Sequence, residues 1–146
     1  MPFSIRPFRR LPLTFVLGFW LLITLLVLSS GPVYAEWVAV HNGKDGMTVY
    51  VNPDTIRRKV EMVTMWVLVD HMNAQETVGN QSYLSTKEKH EYDCDGERGR
   101  TLTFTDFSDH MGNGKVVYSD SETDKWDFIA ADSLGQTLWK FACTKK

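Results

Sequence analysis

Beyond residue 35 the chain alternates apolar and polar positions with a period of two, and it changes to a helical period only near its end. Glu36–Asn42 and Met47–Val51 are short runs of this kind, separated by Gly43-Lys44-Asp45-Gly46, whose turn residues predict a hairpin loop. Asn52-Pro53-Asp54 is expected to end the second strand, because proline has no N–H to give a ladder. Glu61–Met72 is the strongest strand. Val63, Met65, Val67 and Val69 lie on one face and Met62, Thr64, Trp66 and Leu68 on the other, so both sides read as at least partly covered. Gln81–Cys94 alternates more cleanly, with Leu84, Tyr92 and Cys94 on one face and Lys87, Lys89, Glu91 and Asp93 on the other. Arg100–Phe107 and Lys115–Ser119 follow, joined through Gly112-Asn113-Gly114, and Trp126–Ile129 is a shorter candidate.

The last segment reads as a helix. Ser133 with Gln136 three residues on is a capping-box pattern, and Asp132 adds negative charge near the helix start. Leu134, Leu138, Trp139, Ala142 and Cys143 share one apolar arc, while Gln136, Thr137, Lys140 and Thr144 fill the opposite side. Such a helix must lie against the sheet. It is short and contains Gly135, so it would be marginal alone. The expected class is therefore α+β: an antiparallel sheet of about six strands with a C-terminal helix packed on one face.

Residues 1–35 follow another logic. Arg6, Arg9 and Arg10 precede a stretch from Leu11 to Ala35 without a single charge. Gly31 and Pro32 break the apolar run, and Val33-Tyr34-Ala35 supplies modest or small residues before Glu36. This is the layout of a secretory signal peptide, with cleavage expected before Glu36. The run is also long enough to serve as an uncleaved membrane anchor, and in both readings the arginines send residues 36–146 out of the cytoplasm. No cysteine stands directly after the apolar run, so a lipid-acylated N-terminus is not expected.

Export changes how the cysteines read. Cys94 and Cys143 are the only two, an even number in an oxidising compartment, and a single disulfide is the expectation. Cys94 lies on the apolar face of its strand and Cys143 on the apolar arc of the helix, so the bond would tie helix to sheet. Closing a loop of this length removes denatured-state entropy worth about 4 kcal/mol.

From residue 36 onward, several landmarks resemble the surface-adhesin protein E family of proteobacteria. They are Trp37, the run Val49-Tyr50-Val51-Asn52-Pro53-Asp54-Thr55-Ile56, Trp66, Tyr92-Asp93-Cys94, Gly114-Lys115-Val116-Val117, Trp126 and Cys143. The resemblance spans essentially all of residues 36–146, read as one domain. It implies an antiparallel sheet with a disulfide-tied C-terminal helix, and adhesion to matrix or serum proteins as the activity.

Charge and chemistry narrow the function further. The whole chain carries a formal charge of −2, but residues 36–146 hold 13 basic and 18 acidic side chains. An acidic body without a basic stripe argues against nucleic acid as a partner, and membrane contact is expected only if the N-terminal segment is retained. Local positive charge gathers at Lys87 and Lys89 on one strand and Arg98 and Arg100 on the next. If these strands pair, the four converge on the solvent face and suit an acidic protein segment or a polyanion, or they pair across strands with Glu91, Asp93 and Glu97. No nucleophile motif, metal-binding helix motif or phosphate loop occurs, and His41, His71, His90 and His110 include no i, i+4 pair. The acidic turn Asp93–Glu97 lacks the ligand spacing of a calcium loop. The sequence therefore reads as an exported, non-enzymatic binding protein of the periplasm or cell surface, with a protein partner and no cofactor. Two alternatives stay open: a small-ligand binder for haem or lipid that uses His90 or Tyr92, and a membrane-anchored accessory subunit.

Overall fold

The computed structural model describes residues 36–144. The signal peptide or anchor read in residues 1–35 lies outside the described residues. Seven strands and one α-helix follow in chain order: β1 (Val38–Asn42), β2 (Met47–Lys59), β3 (Met62–Glu76), β4 (Ser82–Asp93), β5 (Arg98–Phe107), β6 (Val116–Asp120), β7 (Asp127–Phe128) and α1 (Leu134–Thr144). A short 3-10 turn, His110–Gly112, sits between β5 and β6. The strands pair antiparallel in the order β1-β2-β3-β4-β5-β6, and β7 adds to β5 beside Arg98 and Gly99. The α+β class with a C-terminal helix is what the periodicity predicts.

The alternation in β3 fixes where the core sits. Val63, Met65 and Val67 are fully buried and join Val49 and Val51 of β2, Tyr92 of β4, and Leu138 and Ala142 of α1 in one cluster. Phe141 also packs against it, in addition to the predicted arc of Leu134, Trp139 and Cys143. We refer to this side as the helix face. Burying these side chains contributes on the order of 1.5–3 kcal/mol each.

Two features hold α1 in place. Its start is capped as predicted, with Ser133 Oγ accepting the Gln136 N–H at 3.1 Å. The Gln136 side chain reaches back one residue further than a capping box requires and accepts the Asp132 N–H at 3.2 Å. Its end is tied by the Cys94–Cys143 disulfide, with Cα atoms 5.7 Å apart and a sequence separation of 49. Arg58 closes the same corner by donating from Nη2 to the Cys143 carbonyl at 2.9 Å, which satisfies an orphan acceptor in the last helical turn.

The structure corrects the expected break at Asn52-Pro53-Asp54. β2 passes through it as a bulge: Asn52 pairs with Trp66 and Arg57 with Thr64, so four residues on β2 face Met65 alone on β3. Side chains replace the missing ladder bonds. Asn52 Oδ1 accepts the Asp54 N–H at 3.1 Å, and Thr55 Oγ1 accepts the Trp66 N–H at 3.0 Å while donating to the Asn52 carbonyl at 2.6 Å. The prolyl nitrogen falls where no ladder bond is needed. Other boundaries shift by a few residues: β1 starts at Val38 rather than Glu36, β3 runs on to Glu76, and the last short strand is only Asp127–Phe128.

The tether yields a prediction. Replacing both cysteines (Cys94→Ser with Cys143→Ser) should lower unfolding stability by about 4 kcal/mol, read as a drop in the urea midpoint. Hydrogen exchange should show α1 amides losing protection first while β3 amides keep theirs. Equal loss across both elements would contradict a helix held by its tether.

Candidate functional site

Opposite the helix face, the sheet presents a second surface whose composition follows from the registers. One row runs Lys59, Met62, Asp93, Arg98 across β2 to β5, and the next runs Arg57, Thr64, Glu91, Arg100. Further along come Trp66, Lys89, Thr103 and then Tyr50, Leu68, Lys87, Thr105. Side chains directly opposite in neighbouring antiparallel strands share a face. Six cations (Arg57, Lys59, Lys87, Lys89, Arg98 and Arg100) therefore stand on this open face, accompanied by the carboxylates Asp70, Glu91 and Asp93. For a body with an excess of acid, that is a marked reversal of sign.

Two structures pack onto this face among the described residues, one at each end. At one end the 3-10 turn folds down on it. Asp70 accepts the Met111 N–H at 2.7 Å and lies 3.1 Å from His110 Nδ1. Ser85 Oγ donates to the Asp109 carbonyl at 2.5 Å and accepts the Gly112 N–H at 2.8 Å, and Lys87 Nζ donates to the Gly112 carbonyl at 3.1 Å. Gly112 has φ +68°, a conformation that favours glycine, and a Cβ there would displace the end of the Lys87 side chain. At the other end Trp126 lies over the arginines, 4.2 Å from Arg100 Cζ and 5.1 Å from Arg98 Cζ by ring centroid. Between the two ends lie Trp66, Thr64 and Lys89, all half-buried.

The four basic residues picked out in the sequence separate into different settings. Arg100 holds Glu91 through Nε at 2.8 Å and Nη2 at 2.6 Å, and Arg98 Nε donates to Asp93 at 2.9 Å. Lys87 is occupied by the Gly112 carbonyl and sits 5.0 Å over the Phe107 ring. Among the described residues, no ion pair engages Lys89. The fold adds Arg57 and Lys59, which sequence reading missed because β2 was expected to end at Val51. Among the described residues, Arg57 donates to the carbonyls of Asp54 and Ile56. The acidic turn Asp93–Glu97 closes on itself: Asp93 Oδ1 accepts the Gly96 N–H at 2.9 Å while Oδ2 takes Arg98.

The histidines lie apart. His41 is exposed on β1, His71 packs edge-on against Tyr83, and His110 meets Asp70. His90 is the most engaged. Its Nε2 lies 2.6 Å from Glu88 and its Nδ1 2.8 Å from the Tyr92 hydroxyl, so three alternate residues of β4 form one polar row on the helix face. The i, i+2 spacing of Glu88, His90 and Tyr92 was readable in the sequence. Burial pushes the Tyr92 hydroxyl well above its ordinary range, and the Glu88 carboxylate adds to the rise. The Tyr92 hydroxyl keeps its proton and can donate it to His90 Nδ1, in the tautomer whose Nε2–H donates to Glu88. The Tyr92 ring lies across Gly99, where a side chain would leave it only 3.0 Å of room. Beside this row is a cavity of about 190 Å³, lined by Tyr92, Ile129, Gly135 and Leu138. A second, of about 270 Å³, lies near Phe104 and Asp120. Both are below the roughly 300–1,000 Å³ of ordinary ligand pockets, which weighs against haem or lipid at His90 or Tyr92. Among the described residues no three His, Cys, Asp or Glu side chains gather to hold a metal, and no helix is long and apolar enough to cross a membrane.

Comparison with known proteins brings these features together. A family model described as surface-adhesin protein E matches residues 37–144. Crystal form II of Haemophilus influenzae protein E superposes with a TM-score of 0.62 at 9% identity, covering 77% of this chain and 90% of that one. A further structure of Haemophilus influenzae protein E gives 0.59 at 9% identity, with 77% and 86% covered. Protein E from non-typeable Haemophilus influenzae gives 0.55 at 10% identity, with 76% and 86% covered. At such identities the likeness speaks for the fold. No curated protein matches the chain.

Two carboxylates on opposite faces should respond to pH with opposite sign. Hydrogen bonds from the Gly96 N–H and the Arg98 side chain hold Asp93 below its ordinary value of 3.8. Its stabilising contribution is therefore present above that value and is lost as pH falls through the lower folded one. Burial, with Glu88 nearby, raises Asp106 above 3.8, and the Thr86 hydroxyl opposes the rise only in part. Its contribution is present below 3.8 and is lost as pH rises through the folded value. Asp93→Asn should thus lower the urea midpoint at pH 7, and the deficit should shrink towards pH 2. Asp106→Asn, which keeps an acceptor for Thr86, should raise the midpoint at pH 7 and leave it unchanged at pH 3.

Proposed function

The chain belongs to the surface-adhesin protein E family, and from that premise we propose that it is an exported bacterial envelope protein that binds another protein and catalyses no reaction. Residues 1–35 direct export and are removed before Glu36, leaving 36–146 as a single disulfide-closed domain in the periplasm or on the cell surface. The observation that carries the binding role is the open face. It is a sheet surface with half-buried aromatics, a polar surround and six cations on a body that is otherwise acidic. A net excess of charge of one sign on a face steers encounter with a partner of the other sign and suppresses wrong partners. The partner is accordingly an acidic segment of a protein that meets Lys87, Lys89, Arg98 and Arg100 together with Arg57 and Lys59. Lys89, Arg57 and Lys59 have no carboxylate partner among the described residues and supply the free charge, while Arg98, Arg100 and Lys87 shape the surface around Trp126 and Trp66. A dense polyanion fits less well, because Glu91 and Asp93 are interleaved with the cations and would repel it.

Two measurements test this reading. The intact mass of the protein from native cells should correspond to a chain beginning at Glu36 that gains two hydrogens on reduction. A chain retaining Met1 in the membrane fraction would make an anchored subunit the better description. A photo-crosslinking side chain placed at Thr64 on the open face should capture a protein in those cells, whereas one at Thr137 on the exposed side of α1 should not. Arg57→Glu with Lys89→Glu should remove the Thr64 adduct without lowering the unfolding temperature. Adducts at Thr137 alone, or adducts at Thr64 that survive the charge reversal, would defeat the proposal.

A further inference from the structure

The sheet ends at β6, and among the described residues no strand pairs with its outer edge. An open edge is a row of unpaired N–H and C=O groups, which native proteins usually blunt with short strands, inward charges or a covering element. Here the edge is short and carries one irregularity, at Val117, but among the described residues no element covers it. Val116 is 61% exposed and Tyr118 43%, and both stand on it without a covering element. Tyr118 leans on Phe104 of β5 at 5.7 Å between ring centroids.

Immediately beside this edge lies the cavity of about 270 Å³, whose lining is largely acidic. Phe104 and Thr101 form the floor, and Asp120, Glu122 and Asp124 stand round the rim with Lys125 as the one cation. Among the described residues, no ion pair engages any of the three carboxylates. The rim is held in shape by its backbone: the Asp124 N–H donates to the Thr101 carbonyl at 2.9 Å, and Asp120 Oδ1 accepts the Glu122 N–H at 2.8 Å. Phe104 pairs with Asp120 across the ladder, so cavity and edge belong to the same side of the sheet. That side is the helix face, because Thr101 pairs with His90.

We infer that the outer edge of β6 takes an extended polypeptide as an added strand, and that the adjoining cavity seats one cationic side chain of that segment. Main-chain pairing to an edge gives affinity without sequence preference, and pockets for alternate side chains give the preference. A five-residue edge is long enough to pair with a segment of about equal length. A residue of the added strand lying opposite Asp120 would point its side chain to the helix face, next to the cavity. An arginine there would lay its guanidinium against the Phe104 ring and its N–H groups towards Glu122 and Asp124. This site is separate from the open face, takes charge of the opposite sign, and stands whether or not the acidic-partner reading holds.

The test uses the disulfide-closed protein, labelled with nitrogen-15, and a blocked octapeptide that alternates threonine and valine with one central arginine. Titration should shift the amides of Val116–Asp120, Thr101 and Phe104, leave those of Arg57 and Lys89 in place, and slow hydrogen exchange along β6. Replacing the arginine by citrulline should weaken binding roughly tenfold or more, the size expected for losing a charge-assisted contact. Glu122→Gln with Asp124→Asn should weaken the arginine peptide and leave the citrulline peptide unchanged. N-methylation of alternate peptide amides should abolish the shifts, and because this change is in the probe, it cannot be confused with misfolding. Equal binding of arginine and citrulline peptides would overturn the cationic pocket. Undiminished binding of the N-methylated peptide, or shifts confined to the open face, would overturn strand addition.

Discussion

The bond between Cys94 and Cys143 holds the 11-residue α1 on the face that Val63, Met65 and Val67 make interior. Without it, the apolar contacts of Leu134, Leu138, Trp139, Phe141 and Ala142 would have to hold α1 against Val63, Met65 and Tyr92, and a helix this short has little cohesion of its own. With it, the last turn stays over β4, Arg58 can reach the Cys143 carbonyl, and Trp139 Nε1 can donate to the Asp93 carbonyl at 3.3 Å. The single covering element also leaves the opposite surface uncovered along most of its length. The same economy that makes the core thin makes the binding face broad.

Much of this was legible in the sequence, because period two in β3 and β4 and period 3.6 in α1 are strong signals that burial enforces. Val63, Met65 and Val67 could lie only on one face, and Cys94 and Cys143 each pointed inward on their own element. The misreadings share a physical cause. Asn52-Pro53-Asp54 has the composition of a break, and only the tertiary partner Trp66 shows that Thr55 and Asn52 replace the ladder bonds. Arg57 and Lys59 were lost with it, since the face a residue occupies cannot be counted across a bulge of unknown length. Trp126 over Arg98 and Arg100 joins segments more than 20 residues apart, and no local pattern announces such a stack. Of the partner site, the cations of β4 and β5 were visible; their division into paired and unpaired charges was not.

The two faces of the sheet now have distinct chemistry. The helix face carries apolar contacts and a polar row, Glu88-His90-Tyr92, whose members satisfy one another and thereby avoid the penalty of burial without partners. The open face carries charge in alternating sign, with Glu91 and Asp93 each neutralising one arginine and leaving the remaining cations to the outside. The β6 edge, with its acidic rim, adds a third surface on which the polarity reverses again.

The bulge in β2 has a consequence for how such a chain can change over evolutionary time. Even-numbered residues face outward before it and odd-numbered ones after it, so it acts as a parity switch in the reading of the strand. Arg58 reaches the helix end and Arg57 and Lys59 reach the open face only because an odd number of steps separates Asn52 from Arg57. Loss or gain of one residue there would send Arg58 outward and turn its two neighbours in, uncapping the helix and emptying the face in a single event. The segment is therefore free to drift in composition but not in length. Descendants of this fold should differ here by substitution, and should place their insertions at the hairpin tips.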